Sequence, residues 1–237
     1  MRQSVSIRSS LEGGLTKEAS EAIVAVDIIR ATTTAVTAVA MGRRCYAAAD
    51  LEDALRLAAS MPDALLAGEI GGVVPEGFML SNSPAELAAH SDRRPLVLLS
   101  SSGTRLIDGI RRSPFAYIAS FRNYGATIRH LARQGLPVVL VGAATRGDFR
   151  AEDRMCCAWI AAGLIEAGYA AADRNTDTLV RQWSAASPLD FMRSPSVSFL
   201  RRSHQLSDLD FILAHFDDVD SAFRISGAEI VPAFPPG

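Results

Sequence analysis

The chain has 237 residues, of which 49% are apolar and 21% charged; 24 basic residues stand against 26 acidic ones, a formal net charge of −2. That length is ample for a buried core. The near-neutral balance excludes a polycationic nucleic-acid binder and an acidic disordered chain. Lys17 is the only lysine, so the other 23 cations are arginine. Arginine forks onto carboxylate, phosphate and sulfonate, although codon usage in a GC-rich, alanine-rich chain also accounts for the bias. Cys45, Cys156 and Cys157 are an odd count without a CxxC pair, which predicts reduced thiols and a cytoplasmic protein. No stretch reaches the roughly 18 consecutive apolar residues of a membrane span.

In chain order, strands and helices alternate. Residues 1–15 carry only short apolar pieces. Ile23 to Val26 reads as a strand ending in Asp27, and Thr32 to Met41 as a helix stopped by Gly42. Cys45 to Ala48 is a weak strand. Leu51 to Ser60 is a helix with Leu51, Ala54, Leu55 and Ala58 at helical spacing. Ala64 to Ala67 is a strand, followed by the Gly/Pro-rich stretch from Ile70 to Pro84. Leu96 to Leu99 is a strand leading through Ser100 to Thr104 into a helix ending near Gly109. Ala116 to Ala119 and Val138 to Val141 are strands. Asn123 to Gln134 and Glu152 to Ala167 are helices closed by Gly135 and Gly168. The last third is helical, with a final strand expected at Ile230-Val231. Uninterrupted apolar strands between helices predict an α/β fold. The expectation is one domain over residues 1–237, a mostly parallel or mixed sheet between helices, with a helical C-terminal elaboration.

Ligands of open α/β sheets bind beyond the carboxyl ends of the strands. Four strand ends are followed by polar residues: Asp27 to Thr34, Gly68 to Gly72, Ser100 to Thr104, and Gly142 to Asp148 before Glu152-Asp153. Asp27, Glu69, Glu152 and Asp153 are hard oxygen donors of the kind that hold Mg²⁺. Thr32 to Thr34, Ser101 to Thr104 and Asn82-Ser83-Pro84 read as helix N-termini, which offer free N–H groups to anions. Arg30 adds a bidentate fork. Together these suggest a substrate with more than one acidic group, one of them a phosphate. Each residue also has a plainer reading. Ser and Thr at helix starts are commonly caps, and Glu152 and Asp153 suit a helix's first turn electrostatically. Cys156 and Cys157 read as core, and His90, His130, His204 and His215 form no metal-binding pattern. GxGxxG after a strand, GxxxxGK[ST] and GxSxG are absent, as is a paired Asp-x-Asp at Asp27.

Several ordered blocks then resemble the 2-phosphosulfolactate phosphatase family of coenzyme M biosynthesis. Val26 to Thr34 is similar to the family's VDVLRATTT, Ala67 to Gly72 to AGERGG, and Gly77 to Pro84 to GFDLGNSP. Ser102 to Arg105 is similar to NGTRA, Ala119 to Asn123 to ASFLN, and Asp148 to Ala158 to a block containing FSLED. Asp208 to Phe211 and Val231-Pro232 are weaker echoes. The resemblance implies an α/β fold and Mg²⁺-dependent hydrolysis of a phosphate ester on a short sulfonated hydroxy acid. It implies metal or catalytic roles for Asp27, Glu69, Glu152 and Asp153. Arg30 would be catalytic, and Thr32, Thr33, Asn82, Ser83, Ser102, Gly103, Thr104 and Asn123 would hold the substrate. The chain departs from the family at Ile70 (Arg in the family), Met79 (Asp), Ser81 (Gly) and Ser102 (Asn), and Pro75-Glu76 replaces part of KIPGF. Exchange of polar for apolar residues at Ile70 and Met79 points to a changed substrate. Two other readings therefore stand beside the phosphatase. One is a lyase, transferase or isomerase step on a phosphorylated or carboxylated intermediate. The other is a non-catalytic binder of such acids. The expected partners are a small anionic substrate and a second copy in a homodimer, with no nucleic acid and no membrane.

Overall fold

The computed structural model describes residues 3–10, 20–143 and 148–233. The chain alternates as the sequence predicts. β1 (Ser4–Arg8) and β2 (Ala22–Val26) come first, followed by α1 (Ala31–Ala40), β3 (Cys45–Ala48), α2 (Leu51–Ala59) and β4 (Leu65–Gly68). Next are α3 (Pro84–Ala89), β5 (Leu96–Leu99), α4 (Gly103–Ile110), β6 (Ala116–Ala119), α5 (Tyr124–Gln134) and β7 (Val138–Gly142). The chain continues with α6 (Ala151–Glu166), β8 (Ala170–Ala171), α7 (Arg174–Trp183), a 3-10 turn (Pro188–Phe191), α8 (Pro195–Arg202), α9 (Leu206–Ala214), β9 (Phe223–Ser226) and β10 (Glu229–Pro232). Among the described residues no helix is long and apolar enough to cross a membrane.

All ten of these strands join one sheet, in the order β4-β5-β3-β10-β9-β6-β2-β7-β1-β8. Two blocks are internally parallel, β4-β5-β3 and β6-β2-β7-β1-β8. The C-terminal hairpin β9-β10 joins them through antiparallel pairs with β6 and β3. The expected strand at Ile230-Val231 is thus the seam of the sheet. β1 escapes a sequence reading because only Val5 and Ile7 in it are strongly apolar, yet Val5, Ser6 and Ile7 are buried.

The antiparallel seam makes the two blocks run in opposite senses along the sheet. The sheet nevertheless curls around one pair of helices: α1 packs on β3, β5, β6 and β10, and α4 on both β2 and β3. Twist of roughly 20–25° per strand, over the steps from β5 to β2, turns the sheet by roughly 100–125°. That swings the ends of β4 and β5 toward the end of β2. Small side chains permit the enclosure: Ala31 through Ala38 of α1 are all buried. The α1 threonines satisfy their hydroxyls on the preceding backbone; Thr33 donates to the Ile28 carbonyl (2.8 Å) and Thr37 to that of Thr33 (2.7 Å).

β2 is buried on both faces. Ala22, Val24 and Val26 join the core under α5 and α6, whereas Ile23 and Ala25 join the core with α1 and α4. This explains its unbroken apolar run. α8 and α9 pack against each other, and α9 against α3. The C-terminal helices thereby reach the first half of the chain.

Candidate functional site

A cavity of about 890 Å³ opens where the strand ends meet. β2 contributes Asp27, Ile29 and Arg30 just beyond its end, β4 Glu69, Gly71 and Gly72, β5 Ser100 to Ser102, and β7 Gly142 and Ala143. Ser9 and Ser10 enter from the end of β1, Asn82 from before α3, and Arg105 and Leu106 from α4. Arg150 precedes α6, and α8 supplies Pro195, Ser196, Phe199 and Arg202. Of the fourth expected strand-end loop, residues 144–147 lie outside the described residues.

Asp27 is the centre of this arrangement. It is 5% exposed and sits at the mouth of the β2–α1 turn. The turn is closed by Thr32: the Asp27 N–H donates to Thr32 Oγ1 (2.9 Å), and that hydroxyl donates to the Asp27 carbonyl (2.8 Å). Burial pushes the Asp27 carboxyl up to about 7, and the nearby charges of Glu152 and Glu69 add to the rise. Asp153, in the first turn of α6, accepts the Ile28 N–H at 2.8 Å. Burial, then Asp27 and Glu152, hold its carboxyl well above the ordinary range. Burial raises Glu152 as well, against the nearby Ser196 and Ser194 hydroxyls. Glu152 Oε2 is buried without a hydrogen-bond partner. Three acidic groups thus share a buried corner where they disfavour simultaneous ionisation.

Gly103 makes this corner possible. A Cβ at that position would lie 2.0 Å from Asp27 Oδ2 and 2.5 Å from the Ala31 Cβ. The start of α4 therefore lies directly against the carboxylate. Its backbone is shaped by Ser100, whose Oγ accepts the N–H groups of Gly103 (3.0 Å) and Thr104 (3.2 Å).

Glu69 plays a joining part. Its Oε1 accepts the Ser101 N–H (2.8 Å), and its Oε2 accepts the Gly72 N–H (2.6 Å) and the Ser101 hydroxyl (3.0 Å). The Gly71–Gly72 loop, with φ of +62° and +87°, is thereby tied to the end of β5. Arg30 is 5% exposed and lines the cavity. Its Nη1 donates to Asp208 Oδ2 at 2.5 Å. Asp208, on α9, also accepts the Ser83 hydroxyl and the Ala85 N–H. Arg150 pairs with Asp148 at 2.7 Å.

The predicted residues therefore fall into distinct places. Asp27, Arg30, Glu69, Asn82 and Ser102 line the cavity. Asp153, Glu152 and Gly103 stand immediately behind or beside Asp27. Thr32, Thr33 and Thr104 are fully or almost fully buried and spend their hydroxyls on neighbouring backbone, outside the lining. Ser83 caps α3 and donates to Asp208. Asn123 is buried away from the cavity, where its Oδ1 accepts the Ser120 N–H (2.9 Å) and its Nδ2 donates to the Ser221 carbonyl. Thr32, Thr33, Thr104 and Ser83 build the turns that carry lining residues, and Asn123 closes a turn remote from them. Ile70 and Met79, the two polar-to-apolar exchanges, are 46% and 60% exposed and do not line the cavity.

Sequence reasoning missed Asp208, Arg202, Phe199, Ser196 and the Ser9-Ser10 pair. α8 and α9 follow no strand, and β1 carries too few strongly apolar residues to read as one, so the strand ends legible in the sequence do not lead to them. The weak Asp208–Phe211 echo was the available signal. Among the described residues no three His, Cys, Asp or Glu side chains are gathered so as to enclose a metal ion. Glu69 and Asp153 are committed to hydrogen bonds, whereas Asp27 faces the cavity and Glu152 Oε2 is unpartnered. That donor chemistry fits a divalent ion held by one or two carboxylates, with water and a ligand oxygen completing its shell, the usual manner of Mg²⁺.

The sequence is similar to those of known proteins. A Synechococcus sp. (strain JA-3-3Ab) protein named probable 2-phosphosulfolactate phosphatase is 36% identical over 158 residues, 61% of this chain and 65% of its own length. A Gloeobacter violaceus protein of the same name is 37% identical over 150 residues, 61% of its length. A Synechocystis sp. relative, again of that name, is 31% identical over 198 residues, covering 79% of this chain and 82% of the relative. The family model described as 2-phosphosulpholactate phosphatase matches residues 10–235, from before β2 to beyond β10. The chain belongs to the 2-phosphosulpholactate phosphatase family.

Proposed function

We propose that the chain hydrolyses the phosphate ester of a small 2-phospho acid carrying further anionic groups, such as 2-phospho-3-sulfolactate, with Mg²⁺ as cofactor. The observation that carries this reading is Asp27: a buried carboxylate, raised to about 7, opening on a cavity lined by four arginines and six serines. The relatives' names point to the same ester. Without a cation this corner favours the protonated carboxyl, so a bound divalent ion would be what keeps Asp27 ionised. Asp27 and Glu152 are the side chains that would hold Mg²⁺, which when bound supplies charge neutralisation at a phosphoryl oxygen.

The chain's own groups do the rest. Arg30 presents guanidinium N–H groups to the charge on the transferring phosphoryl. Arg105 and Arg202 lie at exposed positions on the lining, beside no described acidic partner, and take the distal anionic groups. Glu69 holds the Gly71–Gly72 loop against β5 and so sets the width of the cavity. Attack comes either from water positioned by Asp27 or from Asp27 itself; inversion of configuration at a chiral phosphorus identifies the first route, with one in-line displacement, and retention the second, with two.

The reading predicts Mg²⁺-dependent phosphate release from 2-phospho-3-sulfolactate. Release is lost with EDTA and falls at least about a thousandfold in Asp27→Asn, as for other essential groups in phosphoryl transfer. Absence of release from a panel of 2-phospho acids with Mg²⁺ present would sink it. Of the three departures that favour a different reaction, Ile70 and Met79 are exposed and outside the lining, whereas Ser102 lines the cavity.

A further inference from the structure

Asp208 is a buried carboxylate on the first turn of α9, 1% exposed, yet neither of its oxygens serves α9. Oδ2 accepts Arg30 Nη1 at the start of α1, in an ion pair whose side chains are 4% and 1% exposed. Oδ1 accepts the Ser83 hydroxyl and, at 3.2 Å, the Ala85 N–H at the start of α3. A carboxylate buried so deeply is costly unless every lone pair is used, and here its donors come from two elements that deliver cavity residues. Arg30 itself lines the cavity; Asn82, next to Ser83, also lines it, with a buried Oδ1 that has no hydrogen-bond partner.

We propose that Asp208 is the positioning residue of the site. It fixes one nitrogen of the Arg30 guanidinium so that the remaining N–H groups face the cavity. Through Ser83 it sets the Asn82 amide at the same opening. The function is geometric, since the ion pair leaves little net charge. A free arginine samples many rotamers, whereas a forked guanidinium held at one nitrogen loses little further entropy when an anion binds. This assignment rests on the anion-binding reading of the cavity. It also gives α9 a part in the site: α8 supplies lining residues, and α9 supplies the partner that positions Arg30 and the start of α3.

The test uses inorganic phosphate as the probe, with Mg²⁺ present. Calorimetry on the full chain reads a dissociation constant, which a partly unfolded sample does not shift. Asp208→Asn and Arg30→Gln should each weaken phosphate binding about ten- to a hundredfold, the usual worth of a hydrogen bond to a charged group. The double variant should bind no more weakly than Arg30→Gln alone, because without the guanidinium nothing is left to position. Asp208→Glu keeps the charge and should fall between wild type and Asp208→Asn. If Asp208→Asn fails to fold, Asp208→Glu and Ser83→Ala carry the test, each with a smaller loss in binding. An unchanged dissociation constant in these variants, additive losses in the double variant, or no phosphate binding by the wild type overturns the proposal. Phosphate release from esters is measured in parallel. Wild-type binding without turnover would overturn the phosphatase reading while leaving the positioning role intact.

Discussion

Asp27 shows how a short apolar strand becomes chemistry. The strand buries its own end, and the carboxylate there loses water and gains acidic neighbours. Its folded carboxyl stands near 7 against an ordinary 3.8. The folded chain thus binds more protons than the unfolded chain between those values, so this group's contribution to stability falls as pH rises through that window and levels off above 7. The slope is at most about 1.4 kcal/mol per pH unit for one group. Burial holds His130 below its usual range, and this works in the opposite sense, so the comparison must isolate Asp27. Without metal, the melting temperature of Asp27→Asn relative to wild type should rise from pH 5 to pH 7; a constant difference would contradict the assignment. Gly103 belongs to the same corner. Gly103→Ala places a Cβ 2.0 Å from Asp27 Oδ2. It should cost about 1–3 kcal/mol by chemical denaturation and lower kcat/KM by about a hundredfold through displacement of the carboxylate. Asp27 was visible in the sequence because a carboxylate after an apolar run is unusual. Its partners Glu152 and Asp153 were visible only as residue types, because their contact with Asp27 spans over a hundred residues.

At the scale of elements, the loops rather than the helices decide the site. The β4–α3 segment has no regular structure of its own and is anchored by Glu69 and by short bridges such as Ile70 with Val73. Glu69→Ala should leave global unfolding within about 1 kcal/mol, as expected of a polar group outside the core. It should accelerate hydrogen exchange at the Gly72 and Ser101 amides, which donate to the carboxylate. Exchange at wild-type rates would show that the loop is held by something else. Several element boundaries were legible because local chemistry marks them: Gly135 ends α5 with φ of +64°, and Pro84 opens α3 behind the Ser83 cap. The same chemistry misled at Thr32, Thr33, Thr104 and Asn123. A hydroxyl or amide that folds back onto backbone looks, in sequence, like one that meets a ligand.

At the scale of the molecule, the sheet depends on its last hairpin. β10 lies between β3 and β9, with Ile230 1% exposed at the seam. Ile230→Asp puts an unpaired charge there, which costs several kcal/mol. Its thermal unfolding, followed by circular dichroism, should lose its single cooperative transition, and wild-type cooperativity in that variant would refute the role of the seam. Local patterning determined much without tertiary information: the α/β class, the central strands, Asp27 at a strand end, and the blocks that mark the family. These follow from burial period, glycine and proline geometry and side-chain type, which act over a few residues. The tertiary structure alone decided that the two parallel blocks oppose each other, that a curled sheet still gathers their ends, and that Arg30 is held by Asp208. Strand order and the partner of a buried charge depend on contacts between residues far apart in the chain. No local propensity encodes those contacts; closing the cores on the two faces of the sheet selects them.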